Sequence, residues 1–210
     1  MRFIPYRARN LRGMFLYVPE EATKPVPLVI WLTGGNGESQ YPLHNSLGKL
    51  LKEGKIQPDC AVLIPATSGG HNYSAMTGKQ LVELVMEAGE YVKLNYKNIS
   101  ICGWGLGALA AGKLVKDAPA FFDRVCILSN FPEAWYDYIV EIPVLAMFGG
   151  KEESANFDWG QYLVTFPEMI LLKAENYGHE VGEKIWAEDG AWLFRWLTAD
   201  GGGECYRTFR

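Results

Sequence analysis

The 210-residue sequence predicts an α/β fold: a single domain with a mostly parallel central sheet, helices on both faces and an N-terminal antiparallel hairpin. Short apolar runs rich in β-branched residues alternate with amphipathic stretches from about residue 26 onward. Strands that are apolar without alternation are covered on both sides, which is how parallel sheets under helices read. The opening differs, because "FIPYRAR" and "GMFLYVP" flank Asn10–Gly13 as the two arms of a hairpin added at the sheet's edge. No repeat, low-complexity linker or shift of composition divides the chain, and its length suits one domain with a sizeable core.

Taken in order, "VPLVIWLT" is a buried-type strand that stops at the glycines of "GGNG". "PLHNSLGKLLKEG" places Leu43, Leu47, Leu50 and Leu51 on one helical face. "CAVLIPA" is the next strand. In "MTGKQLVELVMEAGEYV", Thr77 and Gln80 stand at capping-box spacing, and Leu81, Leu84, Val85, Ala88 and Val92 form one stripe. "NISIC" then runs through a glycine turn into the helix "LGALAAGKLV". "RVCILSN", "PVLAMFG" and "MILLKAE" are three further strand-like runs. The last helix, around "EKIWAEDGAWLFRWL", carries Ile185, Trp192, Leu193, Trp196 and Leu197 at helical spacing.

Composition narrows the function. Hydrophobic residues make up 49% and charged residues 21%, an ordinary globular balance. A net charge of −4 provides no electrostatic attraction for nucleic acid or an anionic membrane, so neither is expected as a partner. "MRFIPYRARN" turns polar too soon for a signal peptide, and no apolar run is long enough to span a bilayer. Cys60, Cys102 and Cys126 sit in apolar strand-like runs and Cys205 stands far from them, the spacing of buried free thiols and not of a disulfide framework. The expectation is a cytoplasmic protein. No His, Cys or carboxylate set has metal-site spacing, so no metal or other cofactor is expected.

The chemistry gathers around "GWGLGA". Gly103, Gly105 and Ala108 formally satisfy a dinucleotide fingerprint, but "RVCILSN" ends in Ser129 and Asn130 with no carboxylate for a ribose, and the motif lies in mid-chain. A nucleophile elbow fits as well. There a strand turns sharply into a helix, its flanking residues must be small, and the central side chain is lifted above the sheet. Gly103 and Gly107 fill the small positions, and Gly105 stands where a hydrolase carries Ser. A purely structural tight turn fits these residues too.

The rest of the chain favours the elbow. Carboxylates follow "PVLAMFGG" at Glu152 and Glu153, and His179 follows in "ENYGHE", so nucleophile position, acid and His occur in triad order. The glycine loop of "LTGGNG" offers backbone N–H groups at Gly35 and Asn36 for an oxyanion hole. Leu106, at the start of the elbow helix, offers another.

On these motifs the sequence resembles the α/β-hydrolase superfamily, in particular its small lidless bacterial esterases. The resemblance covers most of the chain. "LTGGNG" stands for the family's His-Gly-Gly-Gly-like loop, with Thr33 replacing His. "GWGLGA" stands for Gly-Trp-Ser-x-Gly, "GGKEE" for Gly-x-x-Asp, and "YGHE" for the Gly-His loop. It implies a carboxylic-ester hydrolase scaffold with His179 as base and Glu152 as acid, Glu153 being the fallback. It also implies a small ester or acyl ligand. Trp104, His71 and Trp135 are the expected pocket residues, and the cluster Phe131, Trp135, Tyr136 and Tyr138 lies where related enzymes insert a lid. With Gly105 at the nucleophile position no acyl-enzyme can form. The chain is then an inactive or nearly inactive esterase scaffold, either an inactivated variant or a natural pseudo-hydrolase, or, alternatively, a non-catalytic binding protein for a small acyl or anionic ligand.

Overall fold

The computed structural model describes residues 1–8, 11–20, 22–35, 43–44, 46–68, 73–130, 142–153 and 169–199. Strand β1 (Arg2–Ala8) pairs antiparallel with β2 (Leu11–Tyr17), the expected hairpin. β3 (Val26–Leu32), β4 (Ala61–Thr67), β5 (Leu94–Trp104), β6 (Arg124–Leu128), β7 (Val144–Gly149) and β8 (Met169–Ala174) run parallel to one another. The hairpin joins them through an antiparallel β2–β4 pairing. The order across the eight-stranded sheet is β1-β2-β4-β3-β5-β6-β7-β8.

That order places a reversal at β3. The chain steps outward from β3 to β4, then crosses back to β5 and continues the other way. In open α/β sheets, ligands bind beyond the carboxyl ends of the strands at such a reversal.

Four α-helices cover the faces among the described residues: α1 (Ser46–Lys52), α2 (Gly78–Ala88), α3 (Leu106–Asp117) and α4 (Val181–Leu197). Alternate residues of β3 feed two cores. Leu28, Ile30 and Leu32 pack under α2 and α3, while Val29 and Trp31 pack under α1 and α4. The stripe Leu81, Leu84, Val85 and Ala88 is wholly buried, and the α2 capping box forms as its spacing requires: Gln80 N–H donates to Thr77 Oγ1, and Thr77 N–H to Gln80 Oε1.

Two details depart from the reading of the pattern. The first helix is shorter than its apolar spacing suggests, since Leu43 lies before it. The last is kinked at Asp189, whose φ of −132° is not helical. Cys60, Cys102 and Cys126 are buried free thiols, and burial pushes the Cys60 and Cys102 thiols up. Cys205 lies outside the described residues. No helix among those residues is long and apolar enough to cross a membrane.

Candidate active site

The elbow forms where β5 stops. Strand β5 ends at Trp104 and α3 begins at Leu106, so one residue, Gly105, turns the chain. It does so with φ +56° and ψ −118°, a conformation that side-chain-bearing residues adopt only under strain. Its N–H donates to the Leu128 carbonyl at 2.9 Å. Its own carbonyl accepts from Asn130 Nδ2 at 2.7 Å.

The three glycines of the turn have unequal reasons to be glycine. A Cβ on Gly103 would stand 2.3 Å from the Gly107 carbonyl oxygen, and one on Gly107 would stand 2.2 Å from the Leu32 carbonyl oxygen. Both collisions are with backbone that cannot yield. A Cβ on Gly105 would meet only the edge of a side chain, His179 Nε2 at 3.1 Å, with Gly34 Cα next at 4.0 Å. The central position therefore has room for a side chain, and that side chain would face the imidazole.

His179 lies on the loop between β8 and α4, and its Nδ1 is 2.9 Å from Glu152 Oε1. Glu152 Oε2 accepts the Gly149 N–H at 2.8 Å, so the turn after β7 aims the carboxylate. A carboxylate only accepts, so Nδ1 donates this bond, and in the neutral imidazole Nε2 then keeps its lone pair. The carboxylate is nearly enclosed, 11% exposed, and the imidazole is 62% exposed. Glu153 is exposed beside them. The two loops also touch through backbone: a Cβ on Gly149 would stand 2.3 Å from the Gly178 carbonyl oxygen.

The structure places Trp104, expected on the substrate pocket, beneath the histidine loop. Its indole is sandwiched between Gly34 and Gly182, where an added Cβ would come within 2.7 Å and 2.2 Å of the ring. Only 8% of the residue is exposed, and Nε1 donates to the His179 carbonyl at 2.8 Å. Ser129 Oγ donates to the same carbonyl at 3.2 Å, from a residue held at φ +52°. Ser129 and Asn130, adjacent at the exit of β6, thus hold the histidine loop and the elbow respectively. The sequence presents them only as a strand end without a carboxylate, so their role as holders was not legible there. The one signal was a polar pair closing an apolar strand.

Leu106, expected to offer an N–H for an oxyanion, is the first residue of α3, where a helix N–H has no intrahelical acceptor. Its side chain is exposed. Gly35 stands three residues beyond the end of β3 with φ +70°. Thr33, where the family resemblance would expect His, is fully buried, and its hydroxyl donates to Tyr73 Oη at 3.2 Å, which in turn donates to the Pro65 carbonyl. Asn36, His71, Phe131, Trp135, Tyr136 and Tyr138 lie outside the described residues. Among the described residues no cluster of His, Cys, Asp and Glu could hold a metal.

No protein-family model matches the chain, and no curated protein matches it by sequence. Solved structures do match it in three dimensions. The fluorophosphonate-binding serine hydrolase F of Staphylococcus aureus, in its substrate-bound form, is similar over 95% of this chain and 98% of its own, with TM-score 0.66 and 13% identity. A mutant of the feruloyl esterase module from Clostridium thermocellum, complexed with sinapinate, is similar over 98% of this chain and 91% of its own, with TM-score 0.64 and 10% identity. Against a thermostable esterase the match covers 88% of this chain but only 58% of the other, with TM-score 0.64 and 14% identity. Likeness at these identities speaks to architecture. Together with the strand order and the sharp turn at the end of β5, it gives the chain the α/β-hydrolase fold.

Proposed function

We propose that this chain is an esterase-type serine-hydrolase scaffold that lacks its nucleophile, with a site for a small carboxylic ester or acyl ligand above Gly105. The observation that carries the reading is the contrast among the elbow glycines: only Gly105 has space for a side chain, and that space adjoins His179 Nε2 at 3.1 Å. The likeness to esterases and serine hydrolases supports the same scaffold. In this reading His179 is the base, Glu152 orients it and stabilises its charged form, and the Leu106 and Gly35 N–H groups receive the oxyanion. A hydroxyl on residue 105 would lose its proton to Nε2 as its oxygen attacked the ester carbonyl. Gly105 has none, so the acyl-enzyme route is closed and turnover is close to nil. Loss of the nucleophile from a triad costs on the order of a million-fold in kcat.

The test is Gly105→Ser. The variant is expected to hydrolyse a chromogenic acetate at least ~1,000-fold faster than the native protein, since most of the triad's contribution would return. A folded Ser variant with no gain contradicts the assignment of His179 and Glu152. A receptor for a small acyl or carboxylate ligand is the second reading, favoured by the start of α3 beside the site, where the helix dipole attracts negative charge. Saturable binding of such a ligand by the native protein, with no gain of turnover in Gly105→Ser, would select it.

A further inference from the structure

The base of this site is fully assembled although nothing in the elbow needs it. Four interactions hold His179: Nδ1 to Glu152 at 2.9 Å, the Glu152 carboxylate to Gly149 N–H at 2.8 Å, and the His179 carbonyl to Trp104 Nε1 at 2.8 Å and Ser129 Oγ at 3.2 Å. The ring is nonetheless 62% exposed to solvent, and its Nε2 stands 3.1 Å from where a Cβ on Gly105 would be. A carboxylate-oriented imidazole with a free lone pair, open to water and next to a helix N-terminus, has every part of a general base except a protein nucleophile.

We propose that the native protein hydrolyses small carboxylic esters in one displacement by water, with His179 as general base and no acyl-enzyme. This rests on the esterase-scaffold reading above. A water molecule above Gly105 gives one proton to His179 Nε2 while its oxygen forms a bond to the ester carbonyl carbon. The carbonyl π pair moves onto the oxygen, beside the Leu106 N–H. The pair then returns, the bond to the alcohol oxygen breaks, and that oxygen takes the proton back from Nε2. Ester and water become acid and alcohol, and the imidazole ends neutral. Glu152 carries the imidazolium through the step without taking its proton.

General-base assistance contributes roughly 100- to 10,000-fold, well short of a triad, because the water is not tethered as a side-chain oxygen would be. The experiment follows proton release from phenyl acetate by pH-stat with the full chain, comparing native protein, His179→Ala and Glu152→Gln, each checked for folding by circular dichroism. The native rate is expected at least ~100-fold above His179→Ala, with Glu152→Gln between them. It should slow in heavy water, since a proton moves in the step. Protein quenched during turnover should keep its unmodified mass. Should His179→Ala fail to fold, His179→Asn serves in its place.

A native rate equal to that of His179→Ala overturns the proposal. An acetyl group on His179 in quenched samples also overturns it, by making the imidazole the nucleophile. If Gly105→Ser is active while the native protein matches His179→Ala, the water step fails and the scaffold reading stands; if both are inactive, the scaffold reading fails with it.

Discussion

At the elbow, one added carbon is prohibitive at two positions and nearly accommodated at the third. The histidine loop is close-packed against backbone too, since a Cβ on Gly149 would stand 2.3 Å from the Gly178 carbonyl oxygen, but its histidine is aimed by side-chain hydrogen bonds. Gly103 and Gly107 are glycine because the Gly107 and Leu32 carbonyl oxygens stand 2.3 and 2.2 Å from where a Cβ would be. His179 is placed by Glu152, Trp104 and Ser129, which reach it from three different strand ends. The difference separates two kinds of constraint. The elbow constrains which residues fit, whatever their chemistry. The loop constrains where one chemical group points, and each of its donors can be removed singly. Gly105 belongs to neither set: its backbone angle favours glycine, but neither space nor a bond demands it.

The steric half is where substitution should cost most. Gly107→Ala is expected to destabilise the fold by about 3 kcal/mol or more, because the new carbon overlaps strand backbone. For a chain of this size that lowers Tm by roughly 6–12 °C. Gly105→Ala, with the same carbon added two residues earlier, meets only the strain of its φ and a side chain that can yield by a few tenths of an ångström. Its cost is about 1–2 kcal/mol. Thermal melts of the two variants side by side check this, and equal losses would erase the distinction between Gly105 and its neighbours.

In the hydrogen-bonded half the effects on stability are smaller. Trp104→Phe and Ser129→Ala each remove one of two donors to the His179 carbonyl, worth about 0.5–1.5 kcal/mol apiece. Both carbonyl donors serve one acceptor, so the double variant should lose more than the sum of the singles. In a Gly105→Ser background the pair should lower kcat more than it raises KM, since a displaced base is felt in the chemical step. Additive melting shifts with unchanged kcat would show that the loop holds its place without them.

Much of this was legible in the sequence. Continuous apolar runs marked β3 to β8, and the Thr77–Gln80 box formed with its two bonds. Chain order pointed to the turn at Gly105, to Glu152 and to His179, each just beyond the carboxyl end of a strand, and strands announce themselves. What stayed hidden depends on which strands are neighbours. Ser129 and Asn130 reach His179 and Gly105 because β6 lies beside β5 on one side and β7 on the other, with β8 next. Nothing local in "LSN" encodes that adjacency. The sandwich of Trp104 between Gly34 and Gly182 was hidden for the same reason, since it joins a loop glycine to a helix glycine 148 residues away. The kink at Asp189 has no proline to announce it.

The central claim is that one oxygen separates this site from a working triad, and covalent labelling tests it with the least interference from substrate fit. Native protein, Gly105→Ser and Gly105→Ser with His179→Ala are each incubated with a small fluorophosphonate and measured as intact mass. The account predicts complete single labelling of Gly105→Ser at residue 105, none of the native protein, and labelling of the double variant slowed by ~100-fold or more through loss of the base. A folded Gly105→Ser variant that stays unlabelled, or one that labels equally fast without His179, would contradict it.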